Sequence, residues 1–233
     1  RMQDLFFPLS DTPALSLVSL MDHTPGQRQW RDTSSYRTYY SNIASWTDEE
    51  FEQVVERLQT ARDGCAEDNA ASIMAFCRER GLPMASHDDT LVEHVEEALD
   101  NGIAISEFPT TMEAARHASE NGMLVLMGAP NVVRGGSHSG MISALETRRP
   151  GIWGASPRTM CLSAFLKRLL LERGRVYVPS GCGGLVTANP AEAVGLTDRG
   201  SLEVGRRADL VRVGMVEGQP VVRNVWREGA EVF

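Results

Sequence analysis

The sequence predicts an α/β fold built on a parallel sheet. In this chain of 233 residues, short apolar segments of strand length recur at residues 82–86, 103–106 and 123–127. A single segment of helix length separates each pair of apolar segments, with a threonine near its start and Asn-Gly at its end. Buried strands that alternate with single helices are typical of βα units in a parallel sheet. This local pattern fits a closed β/α barrel and an open, doubly wound sheet equally well.

An earlier strand and two helices precede these units. Residues 15–21 form a short apolar segment that ends at Asp22 and His23. After a polar segment rich in aromatic residues, Thr47 and Glu50 have the spacing of a capping box, which predicts a helix start. A second helix is predicted over residues 66–80, because Gly81 is a typical C-terminal signal.

The next two helices are predicted to begin in the same way. Thr90 stands three residues before Glu93, and Thr110 stands three residues before Glu113. Both pairs match the capping-box spacing, so each threonine is expected to cap the helix that follows it. These helices are predicted to end at residues 101–102 and 121–122.

The regular alternation stops over residues 147–184, where no strand or helix period is evident apart from a basic helical patch, AFLKRLLLERGR. A helical segment follows, and residues 201–233 contain two strand-like segments joined by a turn near Gly218. The sequence therefore predicts one α/β part over residues 1–200, in which 147–184 is aberrant, and a small β part over residues 201–233.

Composition excludes several classes of protein. A hydrophobic content of 42% and a charged content of 23% are ordinary for a globular protein, and the net charge of −8 argues against a nucleic-acid partner. No apolar run is long enough to cross a membrane, and no signal peptide is recognisable. The four cysteines form no C-x-x-C pair, which speaks against a zinc cluster or a disulfide framework. A cytoplasmic location is expected.

Three of the five histidines occupy positions that favour metal binding. His23, His87 and His138 each follow a predicted strand, at the edge where barrel enzymes assemble their sites. Imidazole is the commonest ligand for zinc, and histidines from three different units can converge on one ion. His94 and His117 fall inside predicted helices among charged residues, and we expect them on solvated helix faces.

Two carboxylates and a glycine-rich loop accompany these histidines. Asp88 and Asp89 are candidate catalytic residues, although acidic residues at this place also suit the start of a helix. In the loop over residues 128–140, adjacent glycines beside an arginine can approach an anion with backbone N–H groups and guanidinium donors. The candidate substrate-binding residues are Gln27, Arg28, Arg134, Gly135, Gly136 and Ser137.

Four segments together resemble the phosphonate-metabolism protein M family of the amidohydrolase superfamily. They are LVSLMDHTPGQRQWRD, GLPMASHDDT, AISEFPTTMEAAR and VLMGAPNVVRGGSHSG, and the ending TANPAEAVGLTDRGSLEVGRRADLVRV is similar to the usual close of the superfamily. The resemblance implies a TIM-like (β/α) barrel of the metal-dependent hydrolase type with a small β-sandwich part. It also implies a divalent metal, expected to be zinc, and cleavage of diphosphate from α-D-ribose 1-methylphosphonate 5-triphosphate on the way to C–P bond cleavage.

The chain departs from the family pattern in three places. The family has a histidine-bearing metal motif on an early strand, which nothing before residue 15 supplies, so the barrel is expected to be incomplete at its N-terminal side. Met141 stands where the family usually has Asn. A late strand ending in Ser-Asp-Tyr is also missing. We expect residues 153–184 to be read out of frame, because in the shifted frame the Met160–Cys161 junction must encode Val and the junctions before it allow Ser-Asp-Tyr.

The sequence leaves alternatives open. The favoured function is the phosphonate-pathway diphosphatase, with a small phosphorylated sugar-phosphonate as substrate and a homo-oligomer as a possible assembly. Another amidohydrolase acting on a cyclic amide or amine fits the same metal motifs. A third hypothesis, which assigns no catalysis, is that the chain is an inactive fragment of such an enzyme.

Overall fold

The structure is a computed structural model that describes residues 2–41, 43–128, 159–161, 183–217 and 219–233. The helices of this part are α1 (Met2–Leu9), α2 (Thr33–Tyr40), α3 (Asp48–Asp63), α4 (Ala66–Arg80), α5 (Val92–Asp100), α6 (Met112–Glu120) and α7 (Ala188–Ala193). The strands are β1 (Val18–Leu20), β2 (Met84–His87), β3 (Ile105–Glu107), β4 (Leu124–Met127), β5 (Thr159–Cys161), β6 (Leu210–Val216), β7 (Gln219–Arg227) and β8 (Ala230–Glu231). Short 3-10 helices lie at Arg28–Trp30 and Gly183–Val186. Every helix of these described residues is too short or too polar to cross a bilayer.

The first five strands form a parallel sheet whose spatial order follows the chain. The order among the described strands is β1-β2-β3-β4-β5, and each adjacent pair is parallel. The predicted α/β fold with a parallel sheet is therefore confirmed. A doubly wound sheet would reverse its strand order at a switch point, and these five strands show no reversal.

The helices that connect the strands cover one face of this sheet. Ile73 of α4, Val95 of α5 and Ala114 of α6 all belong to one buried cluster with strand residues Met84 and Val125. The opposite face carries a second cluster, formed by Ala85, Ile105, Leu124 and Leu126. Side chains alternate between the two faces because successive residues of a strand point in opposite directions.

Helices α1 and α2 were not predicted, whereas the start of α3 and the end of α4 agree with the sequence. Thr47 Oγ1 accepts from the Glu50 N–H at 3.2 Å, and the Glu50 carboxylate accepts from the Thr47 N–H at 2.8 Å, so both bonds of the predicted capping box are present. Helix α4 ends at Gly81, whose φ of 62° is the left-handed conformation that glycine adopts at low cost.

The predicted caps at Thr90 and Thr110 are wrong by one residue. Helix α5 follows Leu91, which has no side chain able to cap, and α6 is capped by Thr111, which accepts from the Ala114 N–H at 3.2 Å. The two threonine hydroxyls hold the loops together instead. Thr90 Oγ1 donates to the Asp88 carbonyl at 2.9 Å, and Thr110 Oγ1 donates to Thr90 Oγ1 at 2.8 Å.

The aromatic segment after β1 packs against α3. Trp30, Tyr36 and Phe51 form a buried cluster, and the rings of Trp30 and Tyr36 meet edge to face with centroids 5.6 Å apart. Aromatic burial of this kind is a large source of stabilisation. It fixes the chain that leads away from His23.

The chain after residue 128 adds one unexpected strand and the small β part. Within residues 147–184, where no strand was predicted, Thr159–Cys161 pairs in parallel with β4. The open edge of β4 offers backbone donors and acceptors, which a short extended segment satisfies.

Strands β6, β7 and β8 form a separate antiparallel sheet. The predicted frame shift concerns residues 153–184, and of these only residues 159–161, 183 and 184 are among those that the structure describes.

Candidate metal centre

The carboxyl ends of three adjacent strands bring the candidate site together. His23 follows β1, while His87 ends β2 and Glu107 ends β3. His87 and Glu107 are register partners, so in a parallel pair their side chains lie on the same face of the sheet. Asp88 is the residue directly after β2. Four polar side chains from consecutive strands thus meet at one edge of the sheet.

His23, His87 and Asp88 form a compact set of potential ligands. One ligand atom from each residue can be chosen so that all lie within 4.8 Å of one another. The Asp88 Oδ2 atom is 3.3 Å from His23 Nε2 and 3.4 Å from His87 Nε2. The imidazole centroids are 5.1 Å apart. Two imidazoles and a carboxylate in this arrangement suit a divalent metal ion.

The Asp88 carboxylate is buried without a conventional partner. Its side chain is 2% exposed, and Oδ2 makes no hydrogen bond. A buried carboxylate oxygen that is left unpaired is costly, and a bound cation is one way to offset the cost. The set of donors and this orphaned oxygen therefore fit a divalent ion.

The backbone directs the Asp88 side chain toward the two imidazoles. Asp88 has φ of 56°, in the left-handed region, and its N–H donates to the Glu107 carbonyl at 2.9 Å. The same turn recurs one strand later, where Phe108 has φ of 53° and its N–H donates to the Leu126 carbonyl at 2.8 Å. Non-glycine residues with positive φ are uncommon and cluster at functional sites.

Glu107 was not singled out from the sequence. Its Oε2 lies 2.8 Å from His87 Nδ1 and accepts a hydrogen bond from Ser19 Oγ at 2.5 Å. A signal was present: His87 and Glu107 are 20 residues apart and each follows a serine at the end of a strand. Aligning the two strand ends at this offset would have placed Glu107 beside the histidine.

The loop that carries His23 is fixed from helix α3. Asp22 Oδ2 accepts from Arg62 Nε at 2.6 Å, and Gln59 Nε2 donates to the Pro25 carbonyl at 3.0 Å. Gly26 has φ of 93°, and a side chain there would also meet the Gln59 amide at 3.0 Å. The backbone conformation therefore favours glycine at this turn, and a larger residue would also have to displace the Gln59 amide from the Pro25 carbonyl.

Arg28 and Asp89 contact each other rather than an open cavity. The guanidinium donates to Asp89 Oδ1 at 2.5 Å, while the hydroxyls of Ser86 and Ser106 donate to Asp89 Oδ2 at 2.5 and 2.7 Å. Asp89 is 0% exposed, so these donors replace its hydration. Gln27 lies at the start of the 3-10 helix, where its carbonyl accepts from the Trp30 N–H at 2.7 Å.

Charged neighbours shift the titration of three groups at this edge. Contact with the Asp88 carboxylate raises the pKa of His23, and burial partly opposes that shift. Burial favours the neutral form of Asp22, but hydrogen bonds from Arg62 and Thr24 outweigh it and lower the pKa. Burial likewise opposes ionisation of Glu107, while hydrogen bonds from His87 and Ser19 lower its pKa overall.

The other two described histidines differ in their surroundings. His94 is not on a solvated face as expected: it is partly buried, and its Nδ1 accepts from the Thr90 N–H at 3.2 Å. Burial and the nearby Arg28 guanidinium lower the pKa of His94. His117 is also only partly exposed, and its Nε2 lies 3.7 Å from Glu96 Oε1 on the neighbouring helix.

The predicted glycine-rich loop is not covered by the structure. Its candidate residues lie outside the described residues and stay predictions; they are Arg134, Gly135, Gly136, Ser137 and His138.

Comparison with known proteins identifies the family. Residues 43–232 match the amidohydrolase family. This chain belongs to the amidohydrolase family. The matched residues include β2 to β4 and the C-terminal strands, and they contain His87, Asp88 and Glu107. A divalent metal is the cofactor that membership of this family implies, in agreement with the ligand set at the strand ends.

A curated relative supports the more specific resemblance. The chain is 41% identical over 234 aligned residues to the α-D-ribose 1-methylphosphonate 5-triphosphate diphosphatase of Escherichia coli (strain K12), an alignment that covers 98% of this chain. The resemblance to the phosphonate-metabolism protein M family is confirmed by this similarity. The chain spans 61% of the length of that relative.

Among solved structures, N-acetylglucosamine-6-phosphate deacetylase from Pasteurella multocida has a TM-score of 0.49 to this chain at 12% identity. The similarity covers 92% of this chain and 74% of the deacetylase.

Proposed function

We propose that this chain forms part of a metal-dependent hydrolase of phosphonate breakdown. Its reaction would be the hydrolysis of α-D-ribose 1-methylphosphonate 5-triphosphate with release of diphosphate. The observation that carries the proposal is the similarity to the Escherichia coli diphosphatase across nearly the whole chain. The cluster of His23, His87 and Asp88 supports it, because it supplies metal ligands at the edge of the sheet where such a reaction needs them.

The proposed metal is zinc, held by His23, His87 and Asp88. Ligands of one tetrahedral zinc lie about 3.4 Å apart when each metal–ligand bond is about 2.1 Å. The separations of Asp88 Oδ2 from the two Nε2 atoms are 3.3 and 3.4 Å, in agreement with that value. His138 is proposed as a further ligand from its motif alone. When bound, such an ion makes water more acidic and polarises a phosphoryl oxygen.

The protein groups would act on water and on the phosphate chain. Water attacks the phosphorus next to the ribose, the bond to the bridging oxygen breaks, and diphosphate leaves with that oxygen. Asp88, whose Oδ2 would face the ion, is also the carboxylate proposed to take the proton of the attacking water, because it lies beside the proposed ligands. For Asp89, also predicted as catalytic, the buried contacts with Arg28 and two serines support a positioning role.

Anion binding is proposed for the side chains around this edge. The substrate carries a charged triphosphate, which arginine and backbone N–H groups recognise well. The proposed contacts remain Gln27, Arg28, Arg134, Gly135, Gly136 and Ser137. Of these, Arg28 is already paired with Asp89 and would offer only its remaining donors.

The proposed architecture is a β/α barrel with a small β-sandwich part. Sequential parallel strands with connecting helices on one face support the barrel. The antiparallel sheet of β6, β7 and β8 supports the sandwich, with the division near residue 200. A cytoplasmic location and homo-oligomerisation stay predictions.

A comparison of substrates tests the function. The purified chain, loaded with zinc, is assayed for diphosphate release from α-D-ribose 1-methylphosphonate 5-triphosphate and for ring opening of a cyclic amide. We expect diphosphate release that a chelator abolishes, and no ring opening. Ring opening without diphosphate release would assign the chain to another amidohydrolase activity. Tight metal binding without turnover of either compound would support the inactive fragment.

A further inference from the structure

Strand β3 supplies a carboxylate that reaches the histidine of the neighbouring strand. Glu107 Oε2 lies 2.8 Å from His87 Nδ1, and Ser19 Oγ donates to the same oxygen from β1. The side chains of His87 and Glu107 are 9% and 14% exposed. The contact is thus largely shielded from water, and it joins three consecutive strands of the sheet.

We infer that Glu107 is a positioning residue that holds His87 in the tautomer needed to bind a metal. An ionised carboxylate only accepts hydrogen bonds, so the imidazole must carry its proton on Nδ1. The lone pair is then on Nε2, the nitrogen that lies 3.4 Å from Asp88 Oδ2 in the candidate centre. A carboxylate behind a ligating histidine fixes the ring and makes the imidazole a better ligand. This inference rests on the metal centre proposed above.

Two further contacts hold the same pair in place. The Phe108 ring meets the His87 ring nearly at a right angle, at 83°, with centroids 5.6 Å apart. The Glu107 backbone carbonyl accepts from the Asp88 N–H. The bond to the Asp88 N–H uses only the Glu107 backbone. Substitution of the Glu107 side chain therefore removes the contact with His87 but keeps the hydrogen bond that holds the turn at Asp88.

Three variants of the full chain separate the possible contributions. Glu107→Leu removes the acceptor. Glu107→Gln keeps a carbonyl oxygen able to accept from Nδ1 but removes the charge. Glu120→Gln, on the exposed end of α6, is the matched control for loss of a negative charge. Thermal unfolding of each variant checks that the fold is retained.

Zinc affinity, measured by competition with a chromogenic chelator, is the first readout. We expect Glu107→Leu to bind zinc about 10–100 times more weakly than the parent chain, by the loss typical of such outer-shell carboxylates. Glu107→Gln should lie between Glu107→Leu and the parent, and Glu120→Gln should match the parent. Equal affinity in Glu107→Leu and the parent would overturn the inference and leave the metal centre itself intact.

The protonation of the His87 ring is the second readout and needs no metal. Nitrogen-15 NMR of the metal-free chain distinguishes a protonated Nδ1 from a protonated Nε2. We expect the Nδ1–H tautomer in the parent chain and a shift toward Nε2–H in Glu107→Leu, which a merely structural role would not produce. If the parent chain binds no zinc, the proposed metal centre is wrong, and the NMR measurement alone tests the role of Glu107. An Nε2–H tautomer of His87 in the parent chain would then overturn the inference.

Discussion

At Asp88 the backbone adopts φ of 56° and the carboxylate is buried 3.3–3.4 Å from two imidazole nitrogens, with no hydrogen bond to Oδ2. Both features cost stability in the absence of a ligand. The following residue, Asp89, is also buried, but both of its carboxylate oxygens accept hydrogen bonds. A binding site whose groups are already in place before the ligand arrives has such a cost in stability, and at this site Asp88 carries it.

Asp88→Asn should therefore separate stability from metal binding. Asparagine tolerates the left-handed conformation and can donate to a neighbouring acceptor, so a neutral amide replaces a buried carboxylate whose Oδ2 has no hydrogen bond. We expect the metal-free variant to be as stable as the parent or up to about 1 kcal/mol more stable, while zinc affinity falls at least tenfold. Denaturant unfolding and chelator competition on the same samples measure both. A variant that is clearly less stable and still binds zinc normally would show that the carboxylate is structural.

The sequence predicted part of this residue-scale picture. His23 and His87 were found because they follow apolar strands, and the position after a parallel strand dictates where a side chain lies. The different surroundings of Asp88 and Asp89 were not predictable. They depend on a backbone turn that places the Asp88 carboxylate beside the two imidazoles and the Asp89 carboxylate within hydrogen-bond distance of two serine hydroxyls. Glu107 was missed because its role depends on strand register, a relation between distant residues.

At the scale of single elements, helices α5 and α6 are near copies with different N-termini. Leu91 and Thr111 have almost the same backbone conformation, with φ and ψ of −118° and 159° against −125° and 152°. Thr111 accepts a hydrogen bond from the first turn of its helix, and Leu91 has no group that can do so. The side chain of Leu91 is also exposed.

Leu91→Thr should stabilise the protein by completing this missing cap. An N-cap threonine is worth about 1 kcal/mol relative to a residue that cannot cap. We expect Leu91→Thr to raise the free energy of unfolding by about 0.5–1 kcal/mol. Thr111→Ala, the reciprocal change, should lower it by about 1 kcal/mol in the same denaturant titration. No change in the first variant alongside a loss in the second would mean that the Leu91 side chain contributes packing of its own.

The loop after β1 is held by an ion pair between Arg28 and Asp89, which lies in the loop after β2. Asp89 is 0% exposed, and Arg28 reaches it from the loop that carries His23. Without Asp89, Arg28 keeps, among the described residues, only the exposed Glu97 carboxylate, 3.8 Å away. Loss of one member of a buried pair costs about 3–5 kcal/mol.

Asp89→Ala should destabilise the chain by that order of magnitude. Asp11→Ala is the control, because Asp11 pairs with Arg80 while its side chain is 80% exposed, and little change is expected there. Unfolding in denaturant measures both variants. A loss of activity in Asp89→Ala with stability unchanged would instead assign Asp89 to the chemistry.

For the whole molecule, the alternation of apolar segments and helices predicted the parallel sheet, and the bounds of β2 to β4 and of α4 to α6 agree to within about two residues. Strand β1 is shorter than the predicted 15–21, and helices α1 and α2 were not predicted. Local sequence did not distinguish a barrel from a doubly wound sheet, because both are made of the same βα units. The sequential order of the five described strands and the connecting helices on one face agree with the barrel proposed above, but one half of a doubly wound sheet has the same local arrangement. Strand β5 was not predictable from residues 159–161, since three residues carry no period and the pairing depends on the edge of β4.

The C-terminal sheet exposes apolar side chains over its length. In β6 the large apolar residues that are more than a third exposed are Leu210, Val211, Val213, Met215 and Val216. Apolar surface of this kind on an antiparallel sheet favours association. We expect the isolated chain to bind a hydrophobic dye and to associate as its concentration rises.

Val211→Lys should reduce both effects, because Val211 is 60% exposed within the sheet. Leu202→Lys is the control, since Leu202 is 87% exposed but lies outside the strands. Dye fluorescence and light scattering after size-exclusion chromatography give the readouts. A monodisperse, dye-free parent chain would show that this sheet is covered.

The central claim is that His23, His87 and Asp88 hold one divalent ion, and anomalous scattering tests it most directly. Crystals grown with zinc and measured on both sides of the zinc absorption edge should show a peak about 2.0–2.2 Å from His23 Nε2, His87 Nε2 and Asp88 Oδ2. The peak should vanish in His87→Ala and persist in His117→Ala. A parent structure with zinc bound elsewhere, or a peak that survives His87→Ala unchanged, would contradict the account.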